Sequence, residues 1–163
     1  MSRGVYNADL LAYNIKYKNG YPVFDVKLKN REIKNIKLRV PGEFNIYNTL
    51  AAMSVSLYLK VDEDAIKKSL IDYTGSWRRF EIKLANNITV IDDYAHHPTE
   101  VKATLKAARR KYENKRIICV YQPHQKKRTQ ELFNDFIDAF HDADKAILAD
   151  IYQVAGREEN IEV

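Results

Sequence analysis

The residues from Ile88 to Glu100 read Ile-Thr-Val-Ile-Asp-Asp-Tyr-Ala-His-His-Pro-Thr-Glu. Carboxylates, a phenol and imidazoles stand side by side in Asp92, Asp93, Tyr94, His96 and His97. Such a set can accept protons, hold hydroxyls or grip a charged ligand. The β-branched run Ile88–Ile91 in front of it is expected to be a buried strand. Pro98 suits the first position of a helix, where a missing N–H costs nothing, and Glu100 suits the positive end of its first turn. Polar groups at a strand's carboxyl end and a helix's amino end mark the crevice where open α/β sheets bind ligands, and free N–H groups at a helix start favour anions.

Two more apolar runs end in polar clusters. Ile117–Tyr121 runs into Gln122-Pro123-His124-Gln125-Lys126-Lys127-Arg128-Thr129, and Ala146–Ala149 into Asp150, Tyr152, Arg157 and Glu158. Parallel strands would set all three clusters on one edge. A metal site at Asp92, Asp93, His96 and His97 is disfavoured, because adjacent residues rarely ligate one ion and no partner His or Cys stands at helical spacing. Asp93 and His124 could form an acid/base pair, although a lone loop His is more often a hydrogen-bonding or surface residue. Cys119 sits among aliphatics and reads as a core thiol rather than a nucleophile. Arg78-Arg79, after Trp77, could clamp phosphate with forked hydrogen bonds, or simply be surface charge beside a buried Trp77 and Phe80. No Gly-x-x-x-x-Gly-Lys-Ser/Thr loop is present, and only five glycines could build one, so this stretch does not cradle a triphosphate through such a loop.

The elements that must hold these groups follow from periodicity. Asp9–Val40 reads as short strands broken at Asn19-Gly20, a strong hairpin signal, and at Asn30-Arg31. Asn45 is expected to cap a helix with Ile46, Leu50, Met53 and Leu57 on one face. Asp62 is expected to start a second helix through Ile66 and Leu70. A boundary is placed at Thr74-Gly75-Ser76, giving a small α+β piece over 1–75 and a second domain over 76–163. In the second, strands at Phe80–Leu84 and Ile88–Ile91 flank an Asn86-Asn87 turn. A helical stripe follows at Val101, Leu105, Ala108 and Tyr112, and another at Leu132, Phe133, Phe136, Ile137 and Phe140, with Thr129 as its cap. Strand–helix alternation predicts an α/β fold, a mainly parallel sheet with flanking helices. A sheet ending at Val163 is expected to be incomplete.

Composition narrows the class. With 45% apolar and 30% charged residues the chain is an ordinary globular one. No apolar run approaches the roughly 20 residues of a membrane span, and no signal-like core follows Met1. With a single cysteine, Cys119, no disulfide can form within the chain. These features lead to an expectation of a cytoplasmic protein without membrane partners. Of the net +5, residues 1–75 carry 12 Lys/Arg against 8 Asp/Glu, much of it over Lys27–Arg39. No aromatic or glycine-rich signature accompanies these charges, so they are read as a solvated hairpin face and no nucleic-acid partner is expected.

Four motifs together carry a family resemblance: Pro41-Gly42-Glu43-Phe44-Asn45-Ile46-Tyr47-Asn48-Thr49-Leu50-Ala51-Ala52; Trp77-Arg78-Arg79-Phe80-Glu81; Asp92 through Glu100; and Gln122-Pro123-His124 with Arg128-Thr129. In this order they resemble the Mur ligases of peptidoglycan synthesis, and within them the branch that joins L-alanine to UDP-N-acetylmuramate. The resemblance implies that 1–75 is the tail of the central ATP-binding domain and 76–163 the first part of a Rossmann-like amino-acid-binding domain. It also implies ATP and Mg2+ as cofactors, with the phosphate loop and metal ligands lying outside this stretch, no metal held here, and no activity from the fragment alone. Asn48 is then matched to an adenine contact. Arg79 is matched to the ribose, the phosphates and the migrating phosphoryl group, and Asp93 to the ribose hydroxyls. Tyr94, His96, His124 and Arg128 are matched to the incoming alanine, with Arg128 against its carboxylate. Phe44, where many members have His, and Gln125, where some have Arg, depart from the pattern. The alternative within the family is the recycling ligase that attaches a murein peptide, which usually has Phe at the place of Tyr94.

Overall fold

The computed structural model describes residues 9–85 and 87–152. Of the residues singled out above, Asn86, Arg157 and Glu158 lie outside the described set. The chain divides into two compact units, Met1–Glu81 and Ile82–Val163.

The first unit opens with an antiparallel sheet of β1 (Leu10–Lys18), β2 (Tyr21–Leu28) and β3 (Arg31–Lys37), in the order β1-β2-β3. Asn19 and Gly20 both take left-handed φ, 52° and 81°, which matches a two-residue turn to the twist of its strands. The second turn falls one residue earlier than expected, on Lys29-Asn30, and Arg31 opens β3. Strict alternation would put Ile33 and Ile36 on opposite faces. A bulge prevents this: Val26 faces Ile33 and Phe24 faces Ile36, so an extra residue sits on β3, where Asn35 has φ 61°. Asp25 ties the irregularities together, its carboxylate accepting from Asn35 N at 2.9 Å and Asn14 Nδ2 at 3.0 Å. Those two bonds, the backbone one foremost, hold its pKa below the usual carboxylate value.

Ile33 and Ile36 of β3 thus share one face and feed one core. Phe24, Val26, Ile33, Ile36, Leu38 and Val40 pack with Ile46 and Met53 of α1 (Phe44–Tyr58) and Ile66 of α2 (Glu63–Asp72). Asn45 is not the cap of α1. The helix starts at Phe44, and the Asn45 side chain donates back to Pro41 O at 2.7 Å, a local bond of the kind Asn makes at chain turns. Asp62 does cap α2, its Oδ1 accepting from Asp64 N and Ala65 N.

The second unit contains β4 (Glu81–Ala85), which pairs with β5 (Ile88–Asp92), then α3 (Pro98–Lys111), β6 (Ile118–Tyr121), α4 (Lys126–Glu131), α5 (Phe133–Ala139) and β7 (Lys145–Leu148). β6 and β7 are parallel, with Cys119 opposite Ala146 and Tyr121 opposite Leu148. This is the mixed α/β arrangement with flanking helices, in two hydrogen-bonded strand pairs rather than one continuous ladder. Thr129 is not a cap: it lies within α4, its hydroxyl donating to Gln125 O at 3.0 Å. Of the expected stripe, Leu132, Phe136 and Phe140 pack inward while Phe133 and Ile137 are exposed, and the turn at Leu132 separates α4 from α5.

Val101, Leu105, Tyr121, Phe136 and Ala139 form this unit's core, with Ile117 and Cys119 packed against it. Residues 117, 119 and 121 share one face of β6 because side chains alternate. The other face is open: Ile118 is 51% and Val120 72% exposed, and Ile88 and Val90 of β5 are exposed as well. The expectation that Ile88–Ile91 is a buried strand is corrected here, since α3 and α5 supply cover for one face of β6 among the described residues and Ile88 and Val90 stay exposed. Arg109, in the last turn of α3, locks the amino ends of β6 and β7. It donates to Asp144 Oδ2 at 2.7 Å and Lys115 O at 2.9 Å, while Asp144 also accepts from Ile117 N at 2.6 Å. No helix among the described residues is long and apolar enough to cross a membrane.

Candidate functional site

The carboxyl ends of β5, β6 and β7 meet through specific bonds. Beyond β6 and β7 the parallel pairing continues as a bridge between His124 and Tyr152, whose rings stack with centroids 4.9 Å apart. Tyr152 N donates to Pro123 O at 2.8 Å, and Gln122 Nε2 to Asp150 O at 3.2 Å. Tyr121, the last residue of β6, donates its hydroxyl to His96 O at 3.3 Å and so joins the loop after β5 to the same end. Burial pushes the Tyr121 phenol up to about 12, with nearby Arg128 pulling the other way, so it stays a donor at neutral pH.

The loop after β5 is built by its own side chains. Asp93 Oδ1 accepts from Ala95 N at 2.7 Å, an Asx turn that reverses the chain. His97 caps α3: its Nδ1 accepts from Thr99 N at 3.2 Å, and Glu100 Oε2 accepts from His96 N at 3.0 Å and His97 N at 3.2 Å. This reciprocal box, with Pro98 at the first helical position, explains the His-Pro-Thr-Glu spacing as local structure. His97 is therefore a structural residue. His96 differs: its Nδ1 lies 3.0 Å from Tyr94 O. A carbonyl only accepts, so Nδ1 carries a proton there, and Glu100 Oε2 lies 3.5 Å from the same nitrogen. The ring meets Tyr94 edge-on with centroids 5.4 Å apart.

On the β6 side, Arg128 projects from α4 half-buried, and its Nη2 donates to Gln125 Oε1 at 2.8 Å. Asp93, Tyr94, His96, His124 and Arg128 are thus all carried by the loops and first turns after β5 and β6. Asn48 and Arg79 belong to the other unit. Asn48 is exposed on α1, its Nδ2 donating to Asn45 Oδ1 at 3.1 Å. Arg79 is exposed between two left-handed residues, Arg78 (φ 52°) and Phe80 (φ 50°). Non-glycine residues in this region are costly and cluster at functional sites. Phe80 is buried, whereas Trp77 is 78% exposed with the Arg78 guanidinium 5.6 Å from its ring, so the buried-Trp reading fails. A cleft of about 580 Å³ runs between β5 and β6 over α3, lined by Ile88, Asp93, Leu105, Cys119 and Tyr121 among others. Half-buried Cys119 has its thiol pKa raised by burial, which suits a packing role.

Sequence reasoning missed two participants. Tyr121 reads as the end of an apolar strand, although an aromatic hydroxyl there is a usable signal. Gln125 reads only as a departure from a pattern.

A family model described as Mur ligase, glutamate ligase domain, matches residues 78–162, just over half of the chain. The chain belongs to the Mur ligase family. A UDP-N-acetylmuramate–L-alanine ligase of Clostridium tetani is 46% identical over 160 residues, 97% of this chain and 35% of that relative. The corresponding ligase of Clostridium novyi is 48% identical over 158 residues, 96% of this chain and 34% of the relative. This Mur ligase chain therefore spans about a third of the length of the curated relatives it matches. Among solved structures, MurC from Thermotoga maritima aligns with TM-score 0.80 at 29% identity, covering 91% of this chain and 34% of that one. A murein peptide ligase from Psychrobacter arcticus aligns with TM-score 0.59 at 23% identity over 87% of this chain and 30% of that one, a likeness of fold.

Proposed function

We propose that this chain is part of an ATP-dependent ligase that joins L-alanine to UDP-N-acetylmuramate in peptidoglycan precursor synthesis. The observation that carries the reading is the 46–48% identity to ligases of that name over nearly the whole chain, supported by Asp93, Tyr94, His96, His124 and Arg128 standing on the loops and first turns after β5 and β6. Residues 1–75 belong to the tail of its ATP-binding domain, and 76–163 to the amino-acid-binding domain. In the reaction, the γ-phosphoryl of ATP passes to the muramoyl carboxylate, giving an acyl phosphate and ADP. The alanine amine attacks the acyl carbon, and the tetrahedral intermediate collapses as the C–O bond to phosphate breaks.

Asn48 contacts adenine and Asp93 holds the ribose hydroxyls. Arg79 faces the phosphates, where a guanidinium offsets charge on the migrating group. Arg128 takes the alanine carboxylate with Tyr94 and His124 beside it. In its neutral form His96, with Nδ1 on Tyr94 O, can accept at Nε2 the proton the amine loses on attack. Mg2+ supplies charge neutralisation on the nucleotide. Among the described residues no three His, Cys, Asp or Glu converge on one point.

The test is phosphate release by the full-length protein that carries this chain. Release should require ATP, UDP-N-acetylmuramate and L-alanine together, and mass spectrometry should find the alanyl product. Turnover with a murein tripeptide and none with alanine would replace this reading with the recycling ligase.

A further inference from the structure

Gln125 occupies a position that argues against any side chain. Its φ is 70° and ψ 113°, in the left-handed half of backbone space where glycine is the default residue. It is exposed, and its side chain caps nothing, so neither packing nor helix capping accounts for it. The backbone there is used all the same: Gln125 O accepts from Thr129 N at 3.1 Å and Thr129 Oγ1 at 3.0 Å. Glycine would supply that carbonyl equally well and relax the strain. What glycine lacks is Oε1, which accepts from Arg128 Nη2 at 2.8 Å.

We propose that Gln125 is a positioning residue, whose neutral amide oxygen holds the Arg128 guanidinium in place for a substrate carboxylate without neutralising it. The inference rests on the assignment of Arg128 to the amino acid's carboxylate. A guanidinium has five N–H donors in a fixed fork. One bond to an uncharged acceptor restricts its rotation and leaves the other donors and the full charge for a ligand. Among the described residues no carboxylate makes an ion pair with Arg128. A glutamate at 125 would keep the hydrogen bond but consume the charge.

The experiment measures KM for L-alanine, KM for ATP and Tm in the full-length protein carrying Gln125→Gly, Gln125→Glu or Arg128→Ala. Gln125→Gly should keep or raise Tm while raising the alanine KM about three- to tenfold, roughly the loss of one hydrogen bond, with the ATP KM unmoved. Gln125→Glu should raise the alanine KM further and narrow the preference for L-alanine over L-alaninamide, which lacks the carboxylate. A Gly variant with unchanged alanine KM, a Gly variant whose Tm falls while both KM values shift together, or a Glu variant that uses alanine as the parent does, each overturns the proposal. If Arg128→Ala raises the alanine KM in those cases, only the role of Gln125 falls. If Arg128→Ala leaves it unchanged, the carboxylate assignment falls first.

Discussion

At the β6 end Tyr121 ties the two strand-end loops together, and Arg128 is the residue proposed to take the alanine carboxylate. Replacing Arg128 with Ala in the full-length protein should lower kcat/KM for alanine by roughly one to two decades, since a charge-assisted bond contributes about 1.5–3 kcal/mol. The ATP KM should stay put, and a folded variant with parental alanine kinetics would show that Arg128 only serves α4. Arg79→Ala and Asp93→Ala should instead act through the nucleotide, and separate KM measurements for the three substrates distinguish the two groups. Tyr121→Phe removes the donor to His96 O and should lower stability by about 0.5–1.5 kcal/mol. Because the folded phenol titrates at about 12 against an ordinary 10, the native state holds that proton more tightly. Its contribution is complete below pH 10 and is lost as pH rises through about 12. The Tm gap between parent and Tyr121→Phe should therefore narrow over that window, and a constant gap would remove the phenol's titration from the account.

Among the elements, α3 and β6 show what the packing needs and what it tolerates. Leu105→Ala empties a buried position against Tyr121 and Phe136 and should cost about 2–5 kcal/mol in chemical denaturation. Val120→Thr, on the open face of β6, should stay within about 0.5 kcal/mol of the parent. Equal losses would mean that the open face is covered in solution. The lock between α3, β6 and β7 has a pH signature. Asp144 has its pKa held below the ordinary 3.8, first by the Ile117 N–H and then by Arg109. A lowered carboxylate pKa stabilises the fold above the ordinary value and loses that effect as pH falls through the folded one. Melts taken downward from about pH 5 should therefore show a shallower decline in Asp144→Asn than in the parent. A parallel decline would assign the acid limb to other lowered carboxylates such as Asp25 and Glu63.

On the scale of the whole molecule, the residues proposed to meet ligands fall in two units. Asn48 and Arg79 lie in Met1–Glu81, and Asp93, Tyr94, His96, His124 and Arg128 lie in Ile82–Val163. With no phosphate-loop motif in these residues and only a third of the relatives' length spanned, the 163-residue chain by itself should not join UDP-N-acetylmuramate to alanine. Turnover above a protein-free blank in a clean preparation would contradict that.

Local patterns determined a good deal before any fold existed. Asn19-Gly20 specified its turn, Asp62 its cap and Pro98 the first residue of α3, because each acts through bonds to neighbours a few positions away. The strand–helix alternation was equally legible, since periodicity is a property of consecutive residues. What lay beyond reach depended on partners distant in the chain. The bulge at Asn35 that turns Ile36 inward is held by Asp25, ten residues earlier. Ile118 and Val120 have the same apolar chemistry as their buried neighbours, and only the placement of α3 and α5 decides which face of β6 is covered. His96 and His97 are adjacent and chemically identical. Backbone geometry alone made one a helix cap and set the Nδ1 of the other on Tyr94 O.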